Sequence, residues 1–288
     1  MTGEAFPGYL PYPTVARDIE QTLPGVRIIA IVRDPLQRAF SSYSYNYVRP
    51  ALEMIRKGKV PGIPTDKSDE YYKTHHLFSF EDMAQAELTL LKECLVPGGE
   101  AQSKAREKYK SWAQQMFSWR KENDLPELRD VELCYGAQVL GTVPRKQWVE
   151  LVKSHPRYVI DTPNLQLTEA ILGRGLYATA LEWWYSVFPK EDVHVLCLEE
   201  LSNGIHKMNN LTAFLGLPAY NFSEVLAEGF YNVADHEGYD TLTTREETRN
   251  SHHDIPLSDF MKQDLLDFFA PYNEQLFELI GRRCPWQK

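Results

Sequence analysis

The chain has little of what marks several common protein classes. Its 288 residues include four cysteines and no C-x-x-C pair, which excludes a disulfide-dense scaffold and a zinc ribbon. No apolar run of about 18 residues occurs, so the sequence predicts no membrane-spanning helix. The opening residues, MTGEAFPGYL, have neither a charged n-region nor an apolar h-region, and predict no secretory signal.

Positively charged residues are fewer than negatively charged ones. The 31 Lys and Arg residues are outnumbered by 40 Asp and Glu residues, which gives a net charge of −9. Composition therefore predicts no nucleic-acid partner, although a local basic cleft for an anionic sugar is compatible with an acidic total. Hydrophobic residues make up 43% and charged residues 25%, as in a globular chain of one large α/β domain or two small ones.

The segment from Val26 to Tyr43 holds the strongest local pattern. The β-branched run Val26–Val32 predicts a strand buried on both faces of a parallel sheet. It is followed by Arg33, by Asp34 as a capping residue, and by Pro35, which suits the first turn of a helix. Ligands of open α/β sheets bind at this end of the strands. An arginine fork and a serine hydroxyl, here Arg33 and Ser41, can hold a phosphate there.

This pattern resembles a motif of sulfotransferases that use 3′-phosphoadenosine 5′-phosphosulfate (PAPS). In that family an Arg-Asp/Glu-Pro turn is followed, eight residues after the arginine, by a serine, and Arg33 and Ser41 match both positions. The resemblance implies that these two residues bind the 3′-phosphate of the cofactor. The alternative is a strand–turn–helix unit in which Arg33 merely pairs with a nearby carboxylate.

Four later segments resemble the same family in the same order along the chain. They are Gly175–Phe188, Val193–Leu201, Phe214–Leu217 and Tyr272–Leu279. The resemblance is greatest to the carbohydrate branch, in particular to N-acetylgalactosamine 4-sulfate 6-O-sulfotransferase. It implies an α/β, P-loop-like fold with a short parallel sheet flanked by helices. It also implies a single, partial sulfotransferase domain over residues 1–288, with a helical insert at about 57–145.

The resemblance assigns further binding residues. It places in the polar stretch Asp235–Pro256 a loop that covers the adenine and the 3′-phosphate, with Arg245, Arg249 and Asn250 as its cofactor-binding residues. The alternative is a plain surface loop. Tyr177 and its helix are expected to face the cleft. No metal is expected, because the adjacent His252 and His253 point apart and no third ligand is suitably spaced.

The expected acceptor is a glycan of the chondroitin or dermatan kind, and the expected compartment is the Golgi lumen. Related animal enzymes have a cysteine pair in a place comparable to Cys94 and Cys134, which implies a disulfide, and two free thiols are the alternative. The favoured interpretation of the basic helix expected over Ala101–Asn123 is a solvated amphipathic helix. The other interpretation is the wall of a groove for an anionic sugar.

One family feature has no match in this sequence. The family binds the 5′-phosphosulfate with a strand, a Lys-Ser/Gly-Gly-Thr-Thr type loop and a helix, which precede the Arg-Asp-Pro motif. The glycine-rich stretch Pro97–Lys104 contains a lysine but follows an amphipathic helix. We therefore expect an N-terminally incomplete domain without an assignable catalytic base. The alternative function is an inactive, truncated sulfotransferase that retains only 3′-phosphate binding. A nucleotide phosphotransferase is disfavoured because the Walker lysine and magnesium ligands are missing.

The rest of the sequence predicts a second strand, several helices and an exposed loop. Cys197, in an apolar strand over Val193–Leu198, is expected to be a small buried hydrophobe. Helices are predicted over Thr14–Leu23, Phe80–Leu95, Leu167–Phe188 and Asn203–Leu215, and an exposed loop over Arg56–Lys73. The third of these helices is expected to be softly broken at Gly173 and Gly175.

Overall fold

The computed structural model contains helices and a short parallel sheet. It describes residues 3–6, 8–11, 13–95, 171–201, 205–224 and 255–286, together with a few positions between 99 and 122. The described residues form an α/β arrangement, as the sequence predicted.

The helices and strands occur in the following order. They are α1 (Pro13–Thr22), β1 (Ile28–Val32), α2 (Pro35–Tyr43), a π-helix (Ser44–Val48), α3 (Arg49–Arg56), α4 (Asp69–His76), α5 (Phe80–Leu95), a 3-10 turn (Gly173–Gly175), α6 (Tyr177–Tyr185), a second 3-10 turn (Lys190–Asp192), β2 (Val193–Cys197), α7 (Leu198–Leu201), α8 (Ile205–Phe214) and α9 (Asp259–Ile280).

The chain divides into two compact units. The first contains residues 1–34, 181–255 and 274–288, and the second contains residues 35–180 and 256–273. Each unit is described separately below. The expectation of one sulfotransferase domain stays a prediction.

The first unit contains the sheet. Strands β1 and β2 pair in parallel with Ile28 beside Val193 and Val32 beside Cys197. Both strands therefore end at the same edge, which brings the residues that follow them together. Around the strands the core is built from aromatic and aliphatic side chains, among them Trp183, Trp184, Phe188, Val195 and Leu196.

Strand β1 differs from its prediction in one respect. Ala30 and Val32 are buried, whereas Ile29 is 38% and Ile31 is 53% exposed. The expectation of burial on both faces was wrong, because alternate residues of a strand point to opposite faces and only one face of β1 packs inward.

The second unit is helical and has an aromatic core. Tyr47, Tyr72, Phe78 and Phe80 are fully or almost fully buried. The Tyr43 hydroxyl donates to the Phe78 carbonyl at 2.7 Å, and the Phe78 amide donates to the Tyr47 hydroxyl at 3.1 Å. These bonds satisfy polar groups that burial would otherwise leave unpaired.

One predicted boundary in this unit was wrong. The stretch predicted as a loop to Lys73 contains the start of α4, which Ser68 caps by accepting from the Tyr71 amide. The buried Tyr72 ring explains the difference, because its hydroxyl donates to the Pro64 carbonyl at 2.8 Å and ties the loop down. The break predicted at Gly173 and Gly175 within the helix over Leu167–Phe188 is confirmed, because a 3-10 turn at Gly173–Gly175 precedes α6. The predicted start of that helix lies outside the described residues.

Candidate functional site

In the first unit the candidate site begins where β1 ends. Arg33 and Asp34 form the turn after β1, and α2 begins at Pro35, which lies in the second unit. The strand–turn–helix unit predicted around Arg33 is therefore confirmed as local structure. Arg33 is half-buried, and its binding role stays a prediction.

Glu199 holds the turn that contains Arg33. The Asp34 amide donates to Glu199 Oε1 at 2.9 Å. Glu199 can reach this amide because it follows β2, whose last residue, Cys197, is in register with Val32. A bond of this kind to an ionised acceptor is stronger than a neutral one. This contact of Glu199 was not predicted from the sequence.

The other oxygen of Glu199 accepts a hydrogen bond from the C-terminal segment, Arg282–Trp286. Trp286 Nε1 donates to Glu199 Oε2 at 2.9 Å. The Trp286 ring also packs on Phe277, with ring centroids 5.3 Å apart. One carboxylate thus links the Arg33 turn to the end of the chain.

A disulfide attaches this segment to the sheet. Cys197 and Cys284 are bonded, with their Cα atoms 5.7 Å apart. Cys197 is buried in its strand, as expected, but its disulfide was not predicted, since its partner lies 87 residues away in the sequence. The predicted bridge between Cys94 and Cys134 involves side chains that lie outside the described residues.

Arg282 completes the contacts of the segment. Its guanidinium donates to the Val195 carbonyl at 2.8 Å and to Glu200 Oε1. The other oxygen of Glu200 accepts from the Cys197 amide at 3.3 Å. Glu200 is 8% exposed, so Arg282 supplies the positive charge that a nearly buried carboxylate requires.

In the second unit, helix α2 holds the other predicted phosphate ligand. The Ser41 side chain is exposed on this helix, whereas Pro35, Leu36 and Ala39 are buried. Its hydroxyl therefore lies on the open face of α2. Its binding role stays a prediction.

A buried carboxylate fixes the glycine turn of this unit. Glu87 is 1% exposed on α5, and it accepts from the Leu172 amide at 3.0 Å and from the Gly173 amide at 2.8 Å. Arg38 of α2 donates to the Ile171 carbonyl in the same turn. Burial raises the pKa of Glu87 to about 7, while the backbone amides and Arg38 act in the opposite direction.

The turn also packs closely against neighbouring side chains. A Cβ atom at Gly175 would lie 2.9 Å from Pro35 Cβ and 3.1 Å from Phe269 Cε1. Glycine therefore permits a contact between the Gly173–Gly175 turn and the first residue of α2. Sequence reasoning missed Glu87, although a carboxylate between Met83 and Leu91 on an apolar helix face was a visible signal.

Tyr177 follows this turn. Its side chain is 5% exposed, so most of its surface is packed within the protein, and its role toward an acceptor stays a prediction. The other predicted cofactor residues, Arg245, Arg249 and Asn250, and the basic stretch Ala101–Asn123 lie largely outside the described residues.

The described part of the chain shows neither a metal-binding cluster nor a helix that could span a membrane. There, no group of three or more His, Cys, Asp or Glu side chains is arranged to hold a metal ion. No helix in the same ranges is long and apolar enough to cross a membrane.

The sequence is similar to that of a known sulfotransferase. No protein-family model matches the chain. It is 22% identical over 304 aligned residues to the membrane-associated sulfotransferase kil1 of Dictyostelium discoideum, an alignment that covers 100% of this chain and 53% of the relative. The chain thus spans about half the length of that protein.

A solved structure of a sulfotransferase from Alicyclobacillus acidocaldarius is also similar. Its sequence identity is 17% and the TM-score is 0.43, with 96% of this chain and 63% of that chain covered. The sequence relative, rather than this structural likeness, supports the function proposed below.

Proposed function

We propose that the chain belongs to a sulfotransferase that moves a sulfuryl group from PAPS to a hydroxyl of a glycan. The observation that carries the proposal is the order of elements along the chain. Strand β1 is followed by Arg33-Asp34-Pro35 and then by α2, on which Ser41 is exposed. The similarity to a sulfotransferase along 100% of the chain supports it independently.

In this proposal Arg33 and Ser41 bind the 3′-phosphate of the donor. The guanidinium offers a fork of donors that matches phosphate oxygens, and the serine hydroxyl adds a further donor. Arg245, Arg249 and Asn250 are proposed to cover the adenine and the same phosphate. Tyr177 is proposed to lie on the acceptor side.

The reaction is an in-line displacement at sulfur. The acceptor oxygen attacks the sulfur and loses its proton to a base. The bond from sulfur to the bridging oxygen of the 5′-phosphate breaks, and adenosine 3′,5′-bisphosphate leaves. Positive groups stabilise the charge on the transferring group and on the leaving phosphate. The catalytic base is unassigned, and the chemistry requires no metal.

The Cys197–Cys284 disulfide supports the proposed compartment. Such bonds persist in secreted proteins and in the lumen of the secretory pathway, whereas cytosolic thiols are kept reduced. We therefore propose a Golgi-lumen location and a chondroitin- or dermatan-like acceptor.

A second candidate function is binding of adenosine 3′,5′-bisphosphate without transfer. The observation that favours it is the lack, in these 288 residues, of a sequence matching the family's 5′-phosphosulfate loop. The two candidates share the 3′-phosphate site and differ in turnover.

Calorimetric titration tests the shared site. Adenosine 3′,5′-bisphosphate should bind more tightly than 5′-AMP, and Arg33→Ala should weaken its binding by about tenfold or more, since hydrogen bonds between charged groups contribute roughly 1.5–3 kcal/mol. Arg56→Ala, which removes an exposed arginine paired with Asp69, is the matched control. Equal affinities of wild type and Arg33→Ala would reject the site.

A further inference from the structure

We propose that Glu199 is a positioning residue for the Arg33 turn, and that the disulfide-bonded segment Arg282–Trp286, here called the C-terminal strap, keeps it in place. The inference rests on the proposed function, because its importance lies in how Arg33 meets the 3′-phosphate. All the residues that carry it belong to the first unit.

The first step concerns the peptide that follows Arg33. Its N–H group, the Asp34 amide, donates to Glu199 Oε1 at 2.9 Å. The direction of the Arg33 side chain depends on the backbone angles at Arg33. The bond to Glu199 restrains the peptide group on the C-terminal side of Arg33 and therefore restrains these angles. Without it the turn can rotate, and a guanidinium that must meet phosphate oxygens in a fixed geometry loses preorganisation.

The second step concerns what holds Glu199. Its side chain is partly exposed, so packing alone does not fix its rotamer. Trp286 Nε1 occupies the second carboxylate oxygen at 2.9 Å, and Phe277 supports the indole ring. The carboxylate is therefore held at both oxygens, by the turn on one side and by the strap on the other.

The third step concerns the attachment of the strap. Cys284 is bonded to Cys197, the last residue of β2, and Arg282 donates to the Val195 carbonyl within that strand. The strap therefore cannot leave the end of β2 while the disulfide is intact. Reduction of the disulfide should loosen Trp286, then Glu199 and then the Arg33 turn.

Ligand discrimination is the first measurement. The readout is the ratio of dissociation constants for 5′-AMP and adenosine 3′,5′-bisphosphate, because a loss of folded protein lowers the binding amplitude for both ligands alike. Glu199→Gln cannot accept both N–H groups, and should lower this ratio about tenfold. Trp286→Phe retains the ring on Phe277 but loses the donor, and should lower the ratio about threefold. Glu191→Gln, at an exposed position before β2, should leave it unchanged.

Amide exchange at Asp34 is the second measurement, and it is independent of any ligand. Pro35 has no amide hydrogen, so a peptide that ends there reports Asp34 at its C-terminal side. Exchange at Asp34 should be faster in Glu199→Gln and in wild type treated with reductant. The double variant Cys197→Ser/Cys284→Ser should exchange fast with or without reductant, which controls for reduction of other cysteines.

The two measurements separate the possible failures. A wild type with no preference for the bisphosphate rejects the proposed function, while Asp34 exchange still decides whether the strap controls the turn. An Asp34 amide that exchanges no faster in reduced protein or in Glu199→Gln overturns the inference. So does an unchanged discrimination ratio in Glu199→Gln when the wild type discriminates.

Discussion

At position 175 a side chain of any size would collide with two neighbours. The nearest atoms to a Cβ would be Pro35 Cβ at 2.9 Å and Phe269 Cε1 at 3.1 Å, and the proline ring cannot rotate away. We expect Gly175→Ala to lower the free energy of unfolding by about 1–3 kcal/mol, as overpacking does elsewhere. Urea denaturation measures this value.

Gly3→Ala is the matched control, because nothing lies within 4 Å of a Cβ at that position. It should change the free energy of unfolding by less than about 0.5 kcal/mol. If the two alanine variants were equally stable, the close packing of the Gly173–Gly175 turn against Pro35 would be refuted.

The titration of Glu87 gives stability a characteristic pH dependence. Burial raises the pKa of Glu87 from 4.5 to about 7, so the folded state holds this proton more tightly than the unfolded state. The resulting stabilisation is complete below pH 4.5 and is lost as pH rises through about 7. The loss amounts to about 3 kcal/mol, since each pKa unit corresponds to about 1.4 kcal/mol.

Glu87→Gln removes this titration. The fall in the free energy of unfolding between pH 5 and pH 8 should be smaller in the variant than in wild type by about 3 kcal/mol. Glu93→Gln, an exposed change on the same helix, should follow the wild-type curve. Parallel curves for wild type and Glu87→Gln would contradict the assignment.

At the scale of elements, the sequence of β1 predicts a strand, whereas the surroundings of the strand decide which of its faces are buried. The run of β-branched residues indicated a strand but not which faces are covered, because an apolar run is compatible with one buried face or two. Val32 is fully buried and Ile31 is 53% exposed. Val32→Ala should therefore cost about 2 kcal/mol of stability, and Ile31→Ala a small fraction of that in the same denaturation experiment. Equal losses would indicate that both faces are buried.

Local patterns predicted the elements that depend on local chemistry. Helix α5 was predicted with its observed bounds, Phe80–Leu95, because its apolar period and the Pro-Gly-Gly that follows are both contained in the segment. The strand–turn–helix unit around Arg33 was predicted for the same reason.

The missed contacts depend on residues far apart in the chain. Glu199 meets an amide 165 residues away, and Glu87 meets amides 85 and 86 residues away. No short window of sequence contains both members of such a pair. A carboxylate on an apolar face marked Glu87 as unusual without showing its partner.

At the scale of the whole molecule, cysteine pairing could not be read from the sequence. Four cysteines allow three complete pairings, and the structure joins Cys197 to Cys284 across 87 residues. Peptide mapping without reductant should recover this cross-link, and its loss in Cys197→Ser/Cys284→Ser should cost about 2–4 kcal/mol of stability. Alkylation of both thiols before reduction, in protein from its native compartment, would contradict it. The predicted Cys94–Cys134 pair can be sought in the same map.

Turnover is the property that separates the two proposed functions. Transfer requires the sulfuryl group to be held beside a deprotonated acceptor, and loss of even one donor to a developing charge commonly costs about a hundredfold or more in rate. The sequence of this chain contains no match to the loop that supplies such donors in the family it resembles, and Arg33 and Ser41 are assigned to the opposite end of the cofactor.

We therefore expect the purified 288-residue chain to bind adenosine 3′,5′-bisphosphate and to transfer no radiolabelled sulfate to chondroitin, dermatan or heparan acceptors. Blanks without enzyme and an active sulfotransferase assayed in parallel are the controls. Transfer well above the blank would assign the full reaction to this chain, and would direct mutagenesis to Pro97–Lys104 and Arg245–Asn250 as the stretches that hold the 5′-phosphosulfate.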